Sequence, residues 1–198
     1  MNMKISILLL FFVISKMCFS QINVPNTITF IQGNNRYISN NQNDILIIER
    51  KPFTIRYFVK RYDVKKETFY AMHVAVLDNA QDTIGLYVGQ KINEIEFFMP
   101  GTGLASSENG YYESIFITNK GNHYLFYQDE NDNRSQLVSS LNNFLELDWH
   151  ISSAIYQEQQ YSIEMLKMQS LFFVFLKDNN LNEVVDTNEL KIIEVKFK

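Results

Sequence analysis

The sequence predicts a mainly β protein, an antiparallel β-sandwich with one short helix. Three observations lead there. Over many short segments the apolar side chains recur at every second residue, a period of two and not 3.6. Those segments are separated by Gly, Asn, Asp and Ser at hairpin intervals. Only one stretch, Ser135–Glu146, carries its apolar residues at helical spacing, with Leu137, Val138, Leu141, Phe144 and Leu145 on one face.

At the N-terminus, Lys4 precedes an apolar run from Ile5 to Ile14, and Cys18 and Ser20 sit at −3 and −1 of a cleavage before Gln21. A ten-residue run is too short to span a bilayer, so residues 1–20 read as a secretory signal peptide. A secreted or periplasmic location follows as the expectation. Cys18 could instead carry a lipid, although Lys16 and Met17 fit that signal poorly. Residues 21–198 then form one domain with no transmembrane segment. Cys18 is the only cysteine, so no disulfide can staple that domain and a hydrophobic core must hold it. A hydrophobic fraction of 46% is enough for one. Without Lys4 and Lys16 the balance is 16 basic to 22 acidic residues, a formal charge of −6, which argues against nucleic acid as a partner.

Strands are expected at Thr27–Ile31, Asp44–Glu49, Phe53–Tyr62, Thr68–Leu77, Ile84–Val88, Ile95–Met99, Tyr112–Thr118 and Asn122–Tyr127. In the third of these, Phe53, Ile55, Tyr57 and Val59 should face a core while Thr54, Arg56 and Lys60 face water. Asn119-Lys120-Gly121 reads as a hairpin turn, and the Gly/Ser-rich stretch from Pro100 to Gly110 as a mobile loop. After the helix, Leu145, Leu147, Trp149 and Ile151 return to alternation. Gln157–Gln160 reads as a polar turn. Two final strands, Leu171–Lys177 and Leu190–Phe197, complete a sandwich that is Ig-like or jelly-roll-like.

The stretch joining the last two strands carries the one spacing that suggests chemistry. Counted from Asp178, oxygen-bearing side chains fall at positions 1 (Asp178), 3 (Asn180), 5 (Asn182), 9 (Asp186) and 12 (Glu189), with Val184 at 7. A hard cation such as Ca²⁺ takes six to eight oxygens, so a single loop that wraps it offers ligands at alternate positions. The twelve residues resemble the calcium loop of EF-hand and dockerin-type proteins. The resemblance implies side-chain ligand roles for Asp178, Asn180, Asn182, Asp186 and Glu189, a carbonyl role for Val184, and calcium as the cofactor. It departs at position 6, where the family has Gly and this chain has Glu183, and in its flanks, which are strands and not helices. With 21 Asn in the chain, an Asn-rich hairpin turn that binds no metal is the alternative.

Other groupings are weaker. His73, His123 and His150 have no partners at metal-ligand spacing. Asp148-Trp149-His150 lacks a nucleophile motif, and Trp149 reads as core. Gly101-Thr102-Gly103 only begins a phosphate-binding fingerprint, Glu94 and Glu96 form a weak carboxylate pair, and Asp129–Asn133 carries half of a calcium pattern. Arg50, Lys51, Arg56, Lys60, Arg61, Lys65 and Lys66 gather positive charge on one hairpin, a solvated face or a site for an anionic glycan or acidic protein. With no catalytic constellation, the expectation is an exported, non-catalytic domain that recognises another protein, as an inhibitor, immunity-type or envelope accessory protein. A carbohydrate-binding module with Tyr111, Tyr112 and Tyr124 as stacking platforms is the alternative, and a hydrolase a more distant one.

Overall fold

Two sheets face each other across one core. The computed structural model describes residues 26–60, 72–77, 79–98, 103–106, 112–115, 134–141, 144–156, 159–180 and 182–198. Residues 1–20, the hairpin turn at 119–121, the Asp129–Asn133 cluster, His123 and the strand expected at Asn122–Tyr127 lie outside them. Thirteen strands are described: β1 (Ile28–Gln32), β2 (Asn35–Ser39), β3 (Asn43–Ile48), β4 (Phe53–Lys60), β5 (His73–Leu77), β6 (Gly103–Ser106), β7 (Tyr112–Ile115), β8 (Arg134–Leu141), β9 (Phe144–Ile151), β10 (Ser153–Tyr156), β11 (Gln159–Ser162), β12 (Ser170–Leu176) and β13 (Leu190–Phe197). One sheet runs β2-β1-β4-β9-β8-β7-β6, the other β3-β13-β12-β5, and β10 pairs with β11. All pairings are antiparallel except β3 with β13. The β-sandwich expected from the sequence is what forms.

Period two explains the inner layer. Ile28 and Phe30 of β1, Phe53, Ile55, Tyr57 and Val59 of β4, and Leu147, Trp149 and Ile151 of β9 turn inward and are buried. Leu171, Phe173 and Phe175 of β12 and Ile193, Val195 and Phe197 of β13 meet them from the other sheet. Phe173 is the hub: its ring lies 5.5 Å from Phe30 and 6.1 Å from Phe53, both edge-on, and 6.2 Å from Phe175. Edge-to-face pairs of this kind add about 0.5–1.5 kcal/mol beyond area burial.

The smaller sheet is also covered on its outer face. Ala75, Leu77, Val174, Leu176 and Leu190 pack there against Ile92, Ile95, Phe97, Phe98 and Val185. Burial on both faces is why β12 reads SLFFVFL, a continuous apolar run without alternation. The covering segment corrects two expected strands. Of the strand expected at Ile95–Met99, the described residues 95–98 lie between and within 3₁₀ turns at Ile92–Glu94 and Glu96–Phe98, because Ile92, Ile95 and Phe98 recur every third residue, the 3₁₀ period. Ile84–Val88 is a turn, bounded by Gly85 at φ 98° and Gly89 at φ 94°, which leaves Ile84, Tyr87 and Val88 exposed.

The expected helix at Ser135–Glu146 is a β-hairpin, β8 turning into β9. A register shift between Leu137 and Ser139 is the cause. The extra residue of a bulge puts Leu137 and Val138 side by side and breaks the alternation, so the remaining apolar positions imitate a helical face. The Gly/Ser-rich stretch expected as a mobile loop holds β6, paired with β7. β2 was not expected at all, and Gly33 makes it possible: at φ 57° it occupies the first position of a two-residue type II′ turn after β1. Gln32, buried beside this turn, donates to the carbonyls of Glu49 (2.9 Å) and Lys51 (3.0 Å) and accepts from the Glu49 N–H (2.9 Å). It thereby satisfies the backbone where the chain crosses from β3 in one sheet to β4 in the other. No helix among the described residues is long and apolar enough to cross a membrane.

Candidate functional site

The loop Asp178–Glu189 joins the two central strands of the smaller sheet. The ladder ends at Leu176 and Leu190, and the Lys177 N–H reaches the Glu189 carbonyl at 3.0 Å, so the first and twelfth positions leave the sheet side by side. Both carboxylates turn inward: Asp178 is 3% exposed and Glu189 4%. Asp178 accepts the N–H of Asn182 (3.1 Å) and of Glu183 (3.0 Å). Glu189 accepts the N–H of Asn179 (2.8 Å) and of Asp186 (3.1 Å), one on each oxygen.

Between these anchors the side-chain oxygens organise the turn. Asn180 Oδ1 accepts the Asn182 N–H at 3.2 Å, and Asn182 Oδ1 accepts the Val184 N–H at 2.9 Å. Asp186 Oδ2 receives both side-chain amides, from Asn180 at 2.7 Å and Asn182 at 2.9 Å. Glu183, the residue in the family's glycine position, takes φ 59°. A side chain in that left-handed region costs roughly 1 kcal/mol, offset here by the two N–H groups that the bend aims at Asp178.

Val184 forms an isolated antiparallel bridge with Lys91. Its hydrogen bonds run from the neighbours, Ile92 N–H to the Glu183 carbonyl (2.9 Å) and Val185 N–H to the Gln90 carbonyl (2.8 Å). In such a non-hydrogen-bonded pair the residue's own N–H and C=O point away from the partner strand. The Val184 carbonyl thus points away from the Lys91 segment. Gly89 N–H donates to the Val185 carbonyl at 2.8 Å, so the segment bearing Tyr87 and Val88 is fastened to the loop's far side.

Burial pushes the Glu189 carboxyl above the usual carboxylate range, and the charges of Asp178 and Asp186 push the same way against the two backbone N–H groups. Four carboxylates in one hairpin loop, Asp178, Glu183, Asp186 and Glu189, carry an electrostatic cost that a cation would reduce. The donor set is all oxygen, as a hard cation prefers. Among the described residues, however, no three His, Cys, Asp or Glu side chains come together closely enough to hold a metal ion between them. The two Asn amides fill the space beside Asp186 instead.

Beneath the loop lies a buried lysine. Lys177 is 2% exposed, and burial, followed by the charge of Lys191, lowers its ammonium to about 7. Lys191 is buried too and donates to the Ser39 carbonyl at 3.0 Å. Neither lysine carried any signal in the sequence, where each sits at the end of a strand like an ordinary solvated cation.

The other candidate groupings do not assemble. His73 lies against Phe98, ring centroids 5.6 Å apart, while exposed His150 meets Thr54 Oγ1 at 3.2 Å. Asp148 is clamped by Arg56 through two bonds of 2.7 and 2.8 Å across β4 and β9. Arg50 donates to the carbonyls of Leu166 and Met168 and stacks over Phe197, and Lys51 pairs with Glu49. Arg50, Lys51 and Arg56 of the basic hairpin are thus already engaged; the side chain of Lys60 and all of Arg61, Lys65 and Lys66 lie outside what the structure describes, as do Tyr111 and Tyr124. Trp149 is core, as expected. Glu94 is on a 3₁₀ turn near Lys91, not on a strand.

No family model, no curated protein and no solved structure matches this chain.

Proposed function

We propose that the protein is an exported, non-catalytic binding domain whose Asp178–Glu189 loop takes up one Ca²⁺ and so stiffens a protein-recognition surface. The observation that carries this reading is the bend at Glu183, the sixth position of the twelve, made in left-handed backbone although the residue is not glycine. A loop with the oxygen spacing of a calcium site and the turn of a calcium site has the two properties that wrapping requires. Asp178, Asp186 and Glu189 would supply the charge, Asn180, Asn182 and the Val184 carbonyl neutral oxygens, with the two Asn amides rotating from Asp186 toward the ion. The surface is the neighbouring turn, where Ile84 (75% exposed), Tyr87 (59%) and Val88 (54%) make an apolar patch tied to the loop through Gly89 and Gln90. An apolar patch favours a protein partner over a glycan, which calls for a strip of aromatic rings.

Melting curves test the metal. With two amide ligands and a Glu at the turn, affinity on the order of 10⁻⁵–10⁻³ M is expected. Calcium at tenfold the dissociation constant should stabilise the fold by about 1.4 kcal/mol, a rise of roughly 3–6 °C, reversed by EDTA. Glu189→Gln should lose most of that response while still folding, since one oxygen remains for a backbone N–H. A wild-type midpoint indifferent to millimolar calcium would mean that the loop is only an Asn-rich turn. In the same preparation, capture of a protein from envelope extract should weaken with EDTA and with Tyr87→Asp; capture indifferent to both would remove the patch from the reading.

A further inference from the structure

One edge of the smaller sheet is strand β3, which pairs with β13 on one side and with no described strand on the other. The ladder to β13 uses its even-numbered residues: Ile192 N–H donates to the Gln42 carbonyl at 2.7 Å and Lys198 N–H to the Ile48 carbonyl at 3.0 Å. In a parallel ladder the bonding residues alternate, so the N–H and C=O groups of Asn43, Ile45 and Ile47 point outward from the edge. The side chains of the same residues lie on the sheet's outer face, where Ile45 is 61% and Ile47 55% exposed. Exposed edges in natural proteins are blunted by lysine, proline, a bulge or a charge; β3, NDILII, has no lysine, proline or bulge, and its one charge, Asp44, is taken up by Ser39 and Asn41. β2, the edge of the larger sheet, adds Ile38 at 59% exposure, and the two edges meet where Ser39 Oγ donates to Asp44 at 2.6 Å.

We propose that this edge pairs with the same edge of a second copy, β3 against β3 about a two-fold axis perpendicular to the sheet. The strand is complementary to itself in one register. Residues directly opposite in an antiparallel pair must share a face, so odd meets odd. With Leu46 on the axis, Ile45 of each copy faces Ile47 of the other, both outward-pointing backbones meet, and four hydrogen bonds close between the copies. Asp44 then faces Ile48, and Glu49 faces Asn43, so no acidic pair is opposed. Shifting two residues either way leaves only one Ile–Ile pair and sets the remaining isoleucine of each copy against Asn43 or Glu49. The result is a continuous eight-stranded sheet with four stacked isoleucines on its outer face. One strand pair buries less than the ~1,200 Å² of a standard interface, so the dimer is weak, on the order of 10⁻⁵–10⁻⁴ M.

Sedimentation equilibrium of the purified protein from about 10 μM to 1 mM, a range chosen to bracket that constant, should show the average mass climbing toward twice the monomer. Ile47→Lys, a change at an exposed side chain, should hold the mass at one chain across the range with an unaltered melting curve. Amide exchange separates this edge from any other contact. The Ile45 and Ile47 N–H groups should gain protection as concentration rises, while Leu46, already bonded to β13, should not change. A wild-type chain that stays monomeric at 1 mM would overturn the proposal and leave the edge to a strand from a different protein. A dimer untouched by Ile47→Lys, or one in which Ile45 and Ile47 exchange freely, would overturn it equally.

Discussion

A chain ending at Glu189 is expected to lose cooperative folding altogether. The missing strand, β13, lies between β12 and β3, so its loss strips the smaller sheet of its centre and leaves β3 with no described partner. Four buried apolar side chains go with it, Leu190, Ile193, Val195 and Phe197, each contributing roughly 1.5–3 kcal/mol by burial. Phe173 and Phe175 would be exposed along the new edge of β12. Against a total stability of about 5–15 kcal/mol for a domain, that loss is not survivable. Far-ultraviolet circular dichroism should show no thermal transition for the truncated chain. A transition retained near the full-length midpoint would mean that β13 is peripheral and the topology above incorrect.

The second large effect is expected at Lys177. Its ammonium is lowered in the folded protein from 10.5 to about 7, so between those values the unfolded chain holds a proton that the folded one releases. Stability must therefore rise with pH through that window and sit lowest at and below pH 7, where both states hold the proton and only the folded one must bury its charge. Each pH unit is worth about 1.4 kcal/mol, so wild type should gain on the order of 3 kcal/mol between pH 7 and 9.5. Lys191, lowered in the same direction by burial, adds to that slope. Lys177→Met keeps the volume and removes the charge. Chemical denaturation should find most of the alkaline rise gone in this variant. A wild-type profile flat from pH 7 to 9.5 would show that the ammonium is hydrated in the folded state.

Much of the sandwich was legible because its strands obey the physics that sequence patterns report. In β4, Phe53, Ile55, Tyr57 and Val59 are buried and their neighbours are not, so period two was visible. β12 could be read as a strand from its aromatic and β-branched run, although nothing local announced a second core behind it. Legibility failed where one residue disturbs the period, as at Leu137 and Val138, and where burial is slight, as on β2. It failed again at 79–98, whose 3₁₀ turns bury residues at a spacing of three that resembles neither helix nor strand over so short a length. At the loop, the oxygen spacing was in the sequence but the left-handed Glu183 was not. A Cβ argues against that conformation, and only the assembled turn, with its N–H groups collected by Asp178, makes it favourable. The buried lysines were invisible for a similar reason: their desolvation is a property of the packed sheets.

The parallel pairing of β3 with β13 ties Asn43–Ile48 to Ile192–Phe197, segments some 150 residues apart along the chain. Closing such a contact costs loop entropy before any burial repays it. The smaller sheet should therefore complete late, with refolding on the millisecond-to-second scale of high-contact-order β proteins, and stopped-flow tryptophan fluorescence from Trp149 can time it; folding within microseconds would contradict the strand order.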